Sequence, residues 1–494
     1  MRRWLMILLL CLLPWAAQGE GMERLENLPI LTAQQAALLP EACGPVELTF
    51  HGVKLPYDER GNRYLIPQTA PYALTAGAVK IVREEGYHYS LLPGNDSLSI
   101  VGRMGDTCIA SDLVYTSLPV LEIRTDHGLL PDEADTPGRF VLLEAETGRL
   151  NLKTGSLEIN LRGNTSKRLP KKSYRIKLLD EAGEKRNLSI AGLRSDDDWI
   201  LNPLYADCTK IREKLAYDLW DAMNTSGTAA ASSRMEYAEV ILNGTYWGLY
   251  GVQERIDRKQ VDASKRSGIL YKIAANDRPT VEELLLCENR EACRGMELVY
   301  AGAMVTDPWE PAAGLIRYLD GGEAGKTRMV LENIIDYGLW AMVTQAHDCH
   351  FKNQYVNAVY EGSGYQLYKM PWDLNNTFGD VWREGKKENN YTEYQIGKLV
   401  MDSAFERLLT SEDENVMHEV QRRWRTLREE LLTAQRLHEY AENLFASIHD
   451  ALIRDGQRWP ECGRGAGNTD SVEEIWFFMD EMLLRMDEWV ESLI

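Results

Sequence analysis

The 494-residue chain is short of basic residues. Only 55 Lys and Arg stand against 75 Asp and Glu, a formal charge of −20. A surface of that sign repels polyanions, which argues against nucleic acid or an anionic membrane as partner. Cysteine is scarce, at eight, and no Cys-x-x-Cys pair occurs, so a structural zinc ribbon is not indicated. The chain also lacks the His/Asp-rich cluster that a metal-dependent phosphodiesterase would need, and it shows no internal repeat and no low-complexity tract. Beyond the N-terminus, no apolar run approaches the ~20 residues of a membrane-spanning helix. What remains is ordinary for a globular protein: 44% hydrophobic residues and 9% aromatics. The length suits two to three domains with cores that need no staples.

The one long apolar run opens the chain. Arg2 and Arg3 precede Trp4 to Trp15, and the small residues Ala16, Ala17 and Gly19 follow. A positive start, a short apolar stretch and small residues are the parts of an export signal, expected over 1–19 and removed on maturation. An uncleaved anchor is the alternative. Cleavage would leave Cys43, Cys108, Cys208, Cys287, Cys293, Cys349 and Cys462. An odd set leaves at least one thiol unpaired. Cys287 and Cys293 lie close enough for a local bridge if the compartment is oxidising, and Cys43 with Cys108 could tie the N-terminal region together.

Residues 20 to about 115 read as a separate β-rich domain resembling a small sandwich. Val46 to Phe50 alternates at period two, and turn pairs punctuate the rest. Strands are then predicted at Leu118–Ile123, Phe140–Glu144, Leu157–Leu161 and Ser173–Leu178. The polar turn Arg162-Gly163-Asn164-Thr165-Ser166 lies before the last of these. Alternation places Ser173, Arg175 and Lys177 on one strand face and Tyr174, Ile176 and Leu178 on the other. Arg162, Lys167, Arg168, Lys171, Lys172, Arg175 and Lys177 crowd this hairpin in an otherwise acidic chain. The run reads either as a solvated strand face or as an anion site. The latter would have turn N–H groups and a lysine on phosphates.

Thr209–Met223 is predicted helical from its apolar stripe of Ile211, Leu215, Leu219 and Ala222. Asn243-Gly244 joins two alternating runs and predicts a tight hairpin. Ile269–Ile273 is a further strand. Thr327–Ala346 is a predicted helix, delivering His347-Asp348-Cys349-His350-Phe351-Lys352-Asn353 onto a loop. A hairpin, Gln354–Tyr360 with Tyr365–Met370, then leads to Trp372-Asp373-Leu374-Asn375-Asn376-Thr377-Phe378-Gly379. Helix, Asp-x4-Asn loop, hairpin and a second Asp are the order of parts in a protein-kinase catalytic core. Helices are predicted at Leu399–Leu409, Glu412–Glu430, Ala434–Arg454 and Ser471–Leu493.

That order supports a carboxylate at Asp348 to orient an acceptor hydroxyl, with Asn353 and Asp373 as hard oxygen ligands for Mg²⁺. Plainer readings exist. An Asp after a helix is commonly a cap or turn former, and Asn353 could be a loop hydrogen-bonder. His347 and His350 around Cys349 could hold a transition metal, or Cys349 could serve as a nucleophile.

The motifs together carry a resemblance. Arg162-Gly163-Asn164-Thr165-Ser166 with Lys171-Lys172-Ser173-Tyr174-Arg175-Ile176-Lys177-Leu178 looks like the entry signature of the CotH kinase family, the spore-coat CotH proteins and their exported relatives. Trp199-Ile200-Leu201-Asn202-Pro203, Arg212 to Trp220, Asn243 to Tyr250, Glu254-Arg255-Ile256-Asp257, Leu270-Tyr271-Lys272, Trp372-Asp373 and Phe378-Gly379 are similar to that family in the same order. The likeness runs from about 118 into the C-terminal helices.

The resemblance implies an α+β, protein-kinase-like two-lobe fold, with a β-rich lobe at 116–280 and a helical lobe at 281–494. It implies transfer from ATP with Mg²⁺ or Mn²⁺ to Ser or Thr hydroxyls of an exported, surface or spore-coat protein. The implied roles are Asp348 as catalytic base, Asn353, Asp373 and Asn375 at the metal, and Arg162, Gly163, Asn164, Ser166, Lys172, Lys177, Glu254 and Lys272 toward the nucleotide. One position departs. The family commonly has Trp-Asp-x-Asp, and here Asn375 stands at the second acid, supplying a carbonyl oxygen without charge. A non-catalytic coat or surface binder that keeps the fold is the alternative.

Overall fold

The computed structural model describes residues 22–67, 79–94, 97–147, 149–163, 165–383, 386–389, 401–411, 413–461 and 471–494. The expected export signal and the nucleotide-side candidate Asn164 lie outside the described residues. The protein is a mixed α+β chain that divides into two compact units. One holds the chain up to Pro203 with Glu236–Val252 and Ile448–Pro460, and the other holds Leu204–Met235, Gln253–Ser447 and Glu461–Ile494.

The first unit is built from β-strands. β1 (Met22–Arg24), β2 (Leu48–Phe50), β3 (Val53–Lys54) and β6 (Val79–Val82) form a four-stranded sheet, with the short helix α1 (Ala33–Ala36) after β1. β4 (Tyr57–Asp58), β5 (Arg63–Pro67), β7 (His88–Pro93), β8 (Ser97–Met104) and β9 (Thr107–Thr116) form a second sheet. Leu48, Phe50 and Ile81 from one sheet and Tyr64, Ile66, Ile100 and Leu113 from the other share one apolar core.

Seven further strands close a barrel in the order β10-β11-β12-β13-β14-β16-β15. They are β10 (Val120–Thr125), β11 (Thr136–Glu146), β12 (Arg149–Leu161), β13 (Tyr174–Leu179), β14 (Asp198–Asn202), β15 (Met235–Leu242) and β16 (Thr245–Glu254). The closing seam is parallel, with Val120 opposite Glu239 and Ile123 opposite Leu242. A closed barrel leaves no open sheet edge. Along β13, Tyr174, Ile176 and Leu178 are buried with Phe140, Leu157, Trp199 and Val240, while Arg175 and Lys177 face outward. This is the alternation the sequence implies.

The second unit carries a six-stranded sheet in the order β18-β19-β17-β21-β22-β20. Its strands are β17 (Ile269–Ile273), β18 (Ala292–Cys293), β19 (Met296–Ala301), β20 (Thr327–Met329), β21 (Gln354–Tyr360) and β22 (Tyr365–Pro371). The hairpin β23–β24 (Asp380–Arg383, Lys386–Asn389) follows. The helices are α2 (Arg212–Met223), α3 (Val281–Leu285), α4 (Glu310–Leu319), α5 (Leu331–Thr344), α6 (Ser403–Leu409), α7 (Glu414–Glu430), α8 (Ala434–Arg458) and α9 (Val472–Glu491). The last eleven residues of α8 belong to the first unit. α4 packs Ala312, Ala313, Leu315 and Ile316 against Tyr271, Val356 and Leu367 of the sheet.

Two expectations need correction. The helix read from Thr327 begins at Leu331. Thr327–Met329 instead runs parallel to Tyr365–Leu367 as an edge strand, because pairing with β22 satisfies its backbone better than an isolated helical turn. The bridges considered between Cys43 and Cys108 and between Cys287 and Cys293 are not formed, and all four are free thiols. Cys43 meets Cys108 through the backbone, N–H to carbonyl at 2.8 Å. The thiols of Cys287 and Cys293 rest on backbone carbonyls, at 3.6 Å from Asn289 and from Glu283 of α3 respectively. Cys208 does form a disulfide. Among the described residues, no helix is long and apolar enough to cross a membrane.

Candidate active site

The site is built outward from α5. Twelve of its residues, Asn333 through Thr344, are buried, the polar Asn333, Asp336 and Thr344 among them. Trp220 of α2 meets Trp340 edge to face, with centroids 5.9 Å apart. Trp340 Nε1 donates to the Ala216 carbonyl at 3.0 Å. Such aromatic pairs add ~0.5–1.5 kcal/mol beyond area burial, so α2 and α5 are firmly mated. α5 ends at Gln345, which takes a left-handed conformation at φ +49°. Ala346 N then reaches back to Ala341 O at 3.0 Å. This is a left-handed helix stop made without the usual glycine.

The stop aims a short 3₁₀ turn, His347–Cys349, away from the helix, and Asp348 sits on it. The N-cap of that turn is Ala346, and no side-chain hydrogen bond caps it. Its Oδ1 lies 3.1 Å from Lys352 Nζ, and its Oδ2 accepts from Asn376 Nδ2 at 2.9 Å. The carboxylate is therefore held by partners outside its own turn, which weakens the plain cap reading.

The hairpin register supplies the next step. Gln354 faces Pro371, and one rung beyond, Trp372 N donates to Asn353 O at 2.9 Å. Asp373 thus begins directly beside Asn353. Both are left-handed, at φ +57° for Asn353 and φ +59° for Asp373, as is Phe378 at φ +49°. Non-glycine residues held there cost of order 1–3 kcal/mol each and gather at functional sites. The loop from 373 is tied by Thr377 Oγ1 to Leu374 O at 2.9 Å and by Phe378 N to Thr344 O at 2.8 Å, returning it to the end of α5. Asp348, Asn353, Asp373 and Asn376 therefore converge at one end of the β21–β22 hairpin. Asp348 is half-buried and Asp373 is exposed.

Cys349, between these acids, is a poor nucleophile. Burial pushes its thiol well above the usual range, and the Asp348, Asp373 and Asp402 carboxylates push further the same way. A neutral buried thiol neither attacks nor binds a metal readily. Among the described residues, no group of three or more His, Cys, Asp and Glu is placed to hold a metal. The transition-metal reading of His347 and His350 therefore has no ligand set behind it among the described residues.

The remaining sequence candidates are dispersed. Among the described residues, Asn375 Nδ2 reaches Asn376 Oδ1, at 3.4 Å. It is the neighbouring Asn376 that touches Asp348, a residue the sequence reading passed over although the Asn-Asn doublet offered both positions. Glu254 is 1% exposed, and its Oε2 accepts from Gln260 Nε2 at 3.0 Å. Lys272 pairs across strands with Glu297 at 3.3 Å. In the first unit, Arg162 N and Ser173 O close the turn at 3.0 Å, and Gly163 takes φ +93° beside Ser166. A Cβ on Gly163 would sit 2.0 Å from Ser166 Oγ.

The basic run that suggested an anion site is largely neutralised. Lys167 meets Glu133 at 2.8 Å, Lys171 meets Asp455 at 2.6 Å, Arg175 meets Asp198 at 2.5 Å, and Lys177 meets Asp135 at 2.6 Å and Glu158 at 3.3 Å. Lys172 Nζ donates to Lys167 O at 2.6 Å.

The class is thus an α+β protein whose second unit gathers two carboxylates and two amide side chains at a hairpin end behind a buried helix. Residues 159–483, about two thirds of the chain, match the family model described as CotH kinase protein. The chain belongs to that family. No curated protein matches it.

Proposed function

We propose that the chain is an exported phosphotransferase that moves the γ-phosphoryl of ATP to Ser or Thr hydroxyls of a surface or spore-coat protein, on a two-lobe kinase-like architecture. The observation that carries this reading is the hydrogen bond from Asn376 to Asp348, 2.9 Å, which ties the loop following Asp373 to the turn bearing Asp348. Sequence order alone makes the two Asp-bearing pieces a pattern, and this bond supports reading them as parts of one site.

The donor set suits a hard divalent cation. Asp373, Asn353 and Asn375 offer oxygen atoms, and Mg²⁺ takes one or two protein carboxylates, with phosphate oxygens and water completing its shell. When bound with the nucleotide, the ion would neutralise charge on the transferring phosphoryl group. Asp348 accepts the proton of the acceptor hydroxyl as the new O–P bond forms and the bond to the β-phosphate oxygen breaks. Asn376 fixes the direction of its carboxylate. Toward the nucleotide we retain Arg162, Gly163, Ser166, Lys172 and the buried Glu254. For Lys177 and Lys272, phosphate binding requires exchange of the acids that now hold them.

One observation favours the rival, a binding protein that keeps the fold. Residues 375 and 376 are both neutral amides, which leaves a single acid in the loop that would hold the metal. Full-length protein incubated with γ-labelled ATP and Mg²⁺ or Mn²⁺ separates the two. Label on the wild type, absent from Asp348→Ala, supports transfer. No label and no thermal stabilisation by nucleotide sinks it, since ATP at about 100 times its Kd should add roughly 2.7 kcal/mol.

A further inference from the structure

We propose that Tyr217 is a positioning residue for the metal-binding loop, holding the Asp373 backbone through its phenol oxygen. The inference rests on the functional reading above. Tyr217 lies on α2, three residues before the Trp220 that mates with α5, and its side chain is fully buried. The phenol oxygen accepts two N–H bonds: the backbone amide of Asp373 at 3.1 Å and Gln253 Nε2 at 3.1 Å. A phenol oxygen has this acceptor capacity while keeping its own proton.

The amide it holds matters because of where Asp373 sits. Trp372 is fixed to Asn353 on one side, and Leu374 accepts from Thr377 on the other. Between them, Asp373 is left-handed at φ +59° without being glycine. A strained residue persists only where its surroundings over-determine it. The Tyr217 phenol supplies that constraint from a helix already locked to α5. Gln253, the second donor, immediately precedes Glu254, so one oxygen atom joins α2, the end of β16 and the Asp373 loop. Partners that orient metal ligands are typically worth 10–100-fold in metal affinity or activity.

Tyr217→Phe keeps the ring and removes only the oxygen. The test is Mn²⁺ binding followed by electron paramagnetic resonance, in the presence of a non-hydrolysable ATP analogue. Wild type, Asp373→Ala and Tyr217→Phe are compared with a thermal scan of each. The expected result is about 10–100-fold weaker Mn²⁺ binding in Tyr217→Phe, with transfer partly restored by excess Mn²⁺. A lowered melting temperature with wild-type Mn²⁺ affinity overturns the proposal, because a merely structural hydroxyl would behave that way. Wild type that binds no Mn²⁺, or Asp373→Ala that binds as wild type does, removes the underlying site and the proposal with it. If Tyr217→Phe does not fold, Gln253→Met releases the other side of the phenol. Mn²⁺ affinity at least threefold weaker is then required, and unchanged affinity refutes the role.

Discussion

Asn376 donates its side-chain amide to Oδ2 of Asp348 at 2.9 Å, across 28 residues of sequence. Asn376→Leu removes the donor and, among the described residues, leaves the carboxylate with Lys352. The expected loss in kcat is about 10–100-fold, with nucleotide affinity retained. Asn375→Asp should act oppositely on the metal. It adds the acid common in the family next to the site, and half-saturating Mg²⁺ should fall. Steady-state kinetics over a Mg²⁺ series reads both effects.

Cys349 should be inert despite its position beside Asp348. Its thiol is buried and held protonated by burial and three nearby carboxylates. Cys349→Ala should keep phosphoryl transfer within a few-fold of wild type. Native protein treated with iodoacetamide should show no label at 349 until denatured. Mass spectrometry of the peptide decides the point.

Lys171 and Asp455 form a fully buried pair at 2.6 Å, and the same Asp455 oxygen takes Leu249 N–H at 2.9 Å. The lysine also lies over the Tyr250 ring at 4.6 Å. Lys171→Met strands a buried carboxylate and should cost about 3–5 kcal/mol. Lys171→Met with Asp455→Leu should recover part of that, because the unpaired charge is gone. Urea unfolding of the three proteins measures it.

Glu122 gives a pH signature. Burial raises its carboxyl above the usual 4.5, and Arg124 offsets this only in part. With the folded value above the unfolded one, the folded state binds the proton more readily. This contribution to stability is present below pH 4.5 and is lost as pH rises through the folded value. Glu122→Gln removes the titration. Its melting temperature relative to wild type should be higher at pH 7 than at pH 4 in paired thermal scans.

Much of the local structure was legible because it is written in short-range periodicity. β17 and β21 fall where the alternation put them. The Asn243-Gly244 hairpin is present, and α7 and α9 lie within two residues of their apolar patterns. Failures came where partners are remote. The parallel β10–β15 seam joins Val120 to Glu239, and nothing in either segment announces the other. α4 went unassigned because Trp309-Glu310-Pro311 opens it and Gly314 interrupts its pattern, although its apolar face packs well. The basic run looked like an anion site because its neutralising acids, Asp455, Glu133 and Asp135, lie outside the hairpin. In the candidate site, the order along the chain singles out Asp348, Asn353 and Asp373, and the β21–β22 register places Asn353 next to Trp372 and Asp373. Asn376 and Tyr217 were not singled out, since their partners, Asp348 for the one and Gln253 and Asp373 for the other, are distant in sequence.

The family match begins at residue 159, inside β12 (Arg149–Leu161) and after β10 and β11. A chain shortened to that boundary would lose two strands and most of a third, and the ring of hydrogen bonds would open. β15 and β13 would then present bare backbone edges flanked by Val240, Leu242, Ile176 and Leu178, the kind of surface on which strands from other molecules add. Such a fragment should aggregate even though it keeps every residue of the matched segment.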